Sequence, residues 1–138
     1  SGALMATRFV TTHECDTHIN FKRLYVECRE EDVTIIDSPL GLPGRAIDCE
    51  FLQQVRSGAR MPLSCKWQCL QGCDVKNAPY CIARALLSAR DGDLADGFAF
   101  AGQNAYRCDD IYSVHEVFEQ LKEEYALAAK SEAAVAKR

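Results

Sequence analysis

An apolar run stands where chains usually fray: Ala3-Leu4-Met5-Ala6 leads straight into Thr7-Arg8-Phe9-Val10. A short run of this kind reads as a buried strand. A native chain seldom begins inside a core strand, because terminal residues are rarely held in place. Ser1-Gly2 comes first and the first Met is Met5. Two readings are open: a piece of a longer protein, or Ser1-Gly2 as an expression remnant before a true start. The first is the working expectation. It predicts that the strand is poorly ordered or lies at an open edge, and that the isolated chain aggregates or dimerises.

Composition narrows the class. With 48% apolar and 26% charged residues over 138 positions, the sequence suits one globular domain. Its formal charge of −4, without a Lys/Arg cluster, argues against a nucleic-acid partner. Apolar stretches are too short for a membrane span or a secretory h-region. Eight Cys without a leader point to thiols or metal ligands in a reducing cytoplasm rather than a disulfide scaffold.

Along the chain, Thr11-Thr12-His13-Glu14 has the form of a capping box and predicts a helix start. Phe21, Leu24, Tyr25 and Cys28 then give one apolar helix face. Val33-Thr34-Ile35-Ile36 reads as a short strand, and Pro39 to Gly44 as a loop. Ile47, Phe51 and Val55 mark a second helix that Gly58 ends. A third is predicted from about Pro79 to Arg90, with Ile82, Leu86 and Ala89 inward and Gly92 beyond its end. Gly97 to Gly102 is too small and glycine-rich for a helix. A second capping box, Ser113 to Glu116, opens the clearest amphipathic helix, carried by Val114, Val117, Phe118, Leu121 and Tyr125. The Ala/Lys-rich tail, and residues 131–138 above all, should fray for want of anything to bury. The whole is mostly helical, with too little strand for an independent α/β domain.

Cys65, Cys69, Cys73 and Cys81 stand together as C-x3-C-x3-C-x7-C within a Cys-rich segment, 62–81. Four thiolates could hold zinc or an iron–sulfur cluster. On one continuous helix the first three would span about 12 Å, so a metal site requires the backbone to turn. Gly72 and Pro79 permit that. Free thiols are the competing reading. Cys28 reads as a small buried hydrophobe.

Four segments in order resemble the nitronate monooxygenase-like flavoproteins, formerly called 2-nitropropane dioxygenases. They are Leu4-Met-Ala-Thr-Arg-Phe-Val-Thr-Thr-His-Glu-Cys-Asp16, Glu31-Asp-Val-Thr-Ile-Ile36, Pro43-Gly-Arg-Ala-Ile47 and Phe100-Ala-Gly-Gln-Asn-Ala-Tyr106. The likeness runs to about Leu121. It implies an FMN-binding TIM barrel with a helical subdomain, acting on a small-molecule substrate by oxidising alkyl nitronates with O₂. Cousins reduce enoyl thioesters. A (β/α)₈ barrel needs roughly 250 residues, so residues 1–130 are expected to be the C-terminal part of such an α/β barrel enzyme, beginning at its last strand. The rest of the barrel, with the family's His base, would lie upstream, and no catalytic residue is assigned here. By the same resemblance Leu4, Met5, Ala6 and Thr7 face the flavin phosphate, with Gly102 and Gln103 close by. His13, Cys15, Asp16 and His18 would follow on the active-site side. A non-catalytic, Cys-rich metal-binding or interaction module is the rival from another class.

Overall fold

The computed structural model describes residues 4–61, 65 and 69–135. Helices α1 (Thr7–Val10) and α2 (Ile19–Val26) precede a hairpin of β1 (Val33–Asp37) and β2 (Pro43–Ile47). Then come α3 (Glu50–Arg56), α4 (Ile82–Arg90) and the long α5 (Val114–Val135). β1 and β2 pair antiparallel, Val33 opposite Ile47 and Asp37 opposite Pro43. The described residues thus form a small, mostly helical α/β assembly; they contain no closed barrel.

The predicted first strand is not there. Residues 4–6 carry no regular structure, and Thr7–Val10 forms a single helical turn. Leu4 is fully exposed. A strand needs a neighbour to take its backbone groups, and the described residues supply none at this edge. Thr11 to Glu14 is also not a helix start. Thr12 Oγ1 donates to the Phe9 carbonyl and accepts from the Cys15 amide, closing a turn instead. The helix begins at Ile19, where His18 Nδ1 accepts from the Asn20 amide. Glu14 does cap a helix, though a distant one: its carboxylate accepts from the Val114 amide at 3.0 Å, at the start of α5.

The strand at Val33, the helix around Phe51 and the helix ending at Arg90 lie where the sequence places them. The last of these starts at Ile82 rather than Pro79, because Tyr80 turns inward and is buried. Ile47 closes β2 rather than opening α3. The Ser113–Glu116 box is reciprocal: Ser113 N donates to the Glu116 carboxylate, and Glu116 N donates to Ser113 Oγ. Among the described side chains of α5 only Val117 is fully buried, whereas Phe118 and Tyr125 are exposed. The helix continues through Val135. No helix among the described residues is long and apolar enough to cross a membrane.

Two apolar clusters make the core. In the first, Phe51, Tyr80 and Phe98 stack and meet edge to face at 5.1–6.0 Å, with Ile36, Leu52 and Ile82 around them. The second joins Tyr25, Ile47, Ala99 and Ala105. Segment 97–101 threads between them. Ile47 N donates to Ala99 O, and Ala101 N donates to Arg45 O, so the segment lies against β2 almost as a third strand. On its other side Gly97 rests on α4: an added Cβ would stand 2.3 Å from the Ala85 carbonyl oxygen and 2.6 Å from the Ala89 nitrogen. Both are backbone atoms and cannot swing away. Gly97→Ala should therefore destabilise by about 3 kcal/mol. Gly72→Ala, whose Cβ meets nothing within 4 Å, should stay within about 0.5 kcal/mol. Urea unfolding of the two variants side by side checks this.

Candidate functional site

A recess of about 470 Å³ opens between residues 4–8, the 102–108 turn and α5. Its walls are Leu4 to Arg8, Gly102 to Asn104, Arg107, Cys108, Leu121 and Glu124. All six residues assigned to the flavin phosphate by resemblance, Leu4, Met5, Ala6, Thr7, Gly102 and Gln103, therefore lie on one surface. They come together although 95 residues separate Thr7 from Gly102, because the Gly102 amide donates to Thr7 Oγ1 at 2.9 Å. That bond occupies one hydroxyl lone pair and leaves the Thr7 hydrogen free to donate outward. Gly102 has no Cβ for the same reason of space: one would stand 3.0 Å from Thr7 Oγ1.

Charge is supplied by residues that the sequence reading did not single out. Arg8 forms a two-pronged bond to Glu124, at 2.8 and 2.9 Å, and also donates to Gln120. This hydrogen bond raises the Arg8 pKa and is the main cause holding the Glu124 carboxyl below its ordinary value. Arg107 lies 6.0 Å from the Tyr106 ring centroid and makes no ion pair among the described residues. Two guanidinium groups against one carboxylate leave the recess with an excess positive charge. A bare glycine backbone, an outward hydroxyl and that excess suit the phosphate end of a flavin nucleotide. Cys108 also lines the wall, and burial pushes its thiol up, which makes it a poor nucleophile.

His13, Cys15, Asp16 and His18 do not line this recess. His18 caps α2, and Cys15 Sγ contacts Thr17 Oγ1. Arg8, Arg107 and Glu124 had one usable signal. Each lies within a helical turn of a residue already of interest: Thr7, Asn104 and Leu121.

The four clustered Cys line a separate recess of about 400 Å³. Between Cys69 and Cys81 the chain folds as turns and not as a helix: Cys73 N donates to Leu70 O, and Ala78 N to Asp74 O. Desolvation raises the Cys73 thiol first, followed by the nearby Cys65, Cys81 and Cys69. No three His, Cys, Asp or Glu side chains among the described residues converge on a single-ion site.

Residues 1–124 match the family model described as nitronate monooxygenase. No curated protein matches. Among solved structures, FabK from Thermotoga maritima aligns with a TM-score of 0.72 at 23% identity, over 94% of this chain and 38% of its own. A point mutant of the same FabK aligns at 0.69 and 22%, over 94% and 35%. The chain thus spans well under half the length of these neighbours, and the likeness is one of fold.

The Arg8–Glu124 pair joins α1 to α5 and carries a pH signature. Glu124 is depressed in the folded state, so its contribution is present above the unfolded carboxylate value and is lost as pH falls through the folded one. Both side chains are partly exposed, at 28% and 59%, so the pair is worth about 1 kcal/mol at most. Stability of the parent relative to Glu124→Gln should shrink by that amount from neutral pH to about pH 3. Thermal unfolding at stepped pH measures it.

Proposed function

The chain belongs to the nitronate monooxygenase family, and from that premise we propose that it forms one wall of the FMN site of a flavin-dependent oxidoreductase. The observation that carries this reading is the recess where Thr7, Gly102 and two arginines meet one carboxylate. Arg107 would take the phosphate as a charge partner, and Thr7 would donate its hydroxyl hydrogen. Gly102 lets the backbone approach without a side chain in the way. Gln103 and Asn104 offer amides at the rim. Bound FMN would supply the electron transfer, and the protein's share is orientation and electrostatics. Further chain outside these 138 residues would complete the barrel.

For the substrate, we take an alkyl nitronate oxidised with O₂, supported by the family to which residues 1–124 belong. Reduction of enoyl thioesters on the same kind of barrel is the second reading, and the fold likeness to FabK supports it. The two differ in co-substrate. Oxygen uptake with propane-2-nitronate and no nicotinamide supports the first, and nicotinamide-dependent loss of an enoyl thioester supports the second.

Two outcomes are expected for the flavin. In the complete enzyme, Arg107→Ala or Gly102→Val should weaken FMN by about tenfold or more, the scale of one charge-assisted phosphate contact. Equilibrium dialysis of the apoprotein against FMN reads this directly. The 138 residues alone should bind FMN weakly or not at all, because one wall of a site cannot enclose the isoalloxazine ring. Tight one-to-one quenching of FMN fluorescence by this chain would contradict the shared-site reading.

A further inference from the structure

The Cys-lined recess is separate from the flavin wall, and none of its lining residues is shared with it. Cys65, Cys69, Cys73 and Cys81 all open onto this one space although 16 positions separate the first from the last. All four are free thiols. We propose that these four Cys are the ligands of a [4Fe–4S] cluster.

Size favours a cluster over a single ion. Four sulfurs around one zinc stand about 3.8 Å apart, the edge of a tetrahedron with 2.3 Å bonds. No set that tight exists among the described residues. A four-iron cube spreads its ligands wider, because each thiolate binds a different iron. Four thiols facing a common recess of about 400 Å³, without crowding to one point, match the wider body.

The walls agree. Leu70, Val75, Ile82 and Ala83 give the recess an apolar lining, and Lys76 adds a positive charge. The apolar residues limit solvent access to the centre, and the lysine offsets the net negative charge of a cluster held by four thiolates. Cys81 occupies the N-cap of α4, so the fourth thiol stands at the start of a helix.

Folding logic points the same way. Between Cys69 and Asn77 no residue is buried, so this excursion rests on no apolar core of its own. Turn bonds hold it locally: Asp74 Oδ1 accepts from the Lys76 and Asn77 amides, and Oδ2 from the Asn77 side chain. Such bonds shape a loop but do not return it to Cys81. Four iron–thiolate bonds would tie both ends of the excursion to the start of α4, at the cost of four thiol protons.

The full chain, purified and reconstituted without oxygen using equal amounts of ferrous and ferric iron with sulfide, tests this. The expected result is about four iron and four sulfide per chain, with the broad visible absorption of thiolate-to-iron charge transfer. A paramagnetic resonance signal should appear on dithionite reduction. Cys69→Ser and Cys73→Ser should each cut bound iron at least fivefold while Cys15→Ser, outside the recess, leaves it unchanged. Circular dichroism confirms that each variant keeps its helices. Iron uptake that ignores the two substitutions overturns the proposal. So does the absence of stoichiometric iron, or one tightly held zinc per chain in place of a cluster. Flavin content measured on the same samples keeps this outcome apart from that of the FMN reading.

Discussion

Segment 97–101 holds the two halves of the core in register. Its side chains alternate in assignment: Phe98 belongs to the aromatic cluster with Phe51 and Tyr80, and Ala99 to the cluster with Tyr25 and Ile47. Its backbone is bonded to β2, and the Phe100 carbonyl accepts the Tyr25 hydroxyl at 2.6 Å. Desolvation pushes the Tyr25 phenol up, so it stays protonated and remains a donor. A strand seated this closely must be small. Gly97 and Ala99 supply backbone contact with α4 and β2 at almost no side-chain volume, and Phe98 fills what is left. This order also places the 102–108 turn, and with it Gly102 and Arg107, opposite the chain start.

Elements governed by local rules were legible. The Ser113–Glu116 box works within one turn of helix, and Gly58 and Gly92, both at φ +94°, lie just past α3 and α4. What the sequence concealed depends on partners far along the chain. Thr11-Thr12-His13-Glu14 has every residue of a cap, yet its carboxylate serves α5. Pro43-Gly44 looks like loop. In the structure Pro43 is the first residue of β2, where its missing N–H costs least, and Gly44 makes room for the Phe100 ring, which an added Cβ would meet at 2.5 Å. The apolar start at Leu4 carries a strand's composition without a strand's neighbours.

The site shows the same division. Thr7 and Gly102 were named through resemblance to a family, and the structure joins them by a hydrogen bond that no spacing rule contains. Arg8, Arg107 and Glu124 escaped notice because charged residues are ordinary on any surface. Only the fold shows that they surround one space. For the Cys, spacing made turns a condition of any metal site, and among the described residues Gly72 falls in a turn. Composition alone could not show that Cys81 stands at the mouth of α4 to meet the other three.

The cap that Glu14 places on α5 reaches across 100 residues, and the Arg8–Glu124 bond across 116. α5 must therefore exist before the Thr7–Val10 turn is in its final place. During synthesis that turn is made early and waits, without its partner, until α5 follows. Closing so long a loop is slow and entropically costly. Once closed, the two contacts lock each other. The recess beside them thus takes shape only when α5 docks, and it opens when either contact is lost.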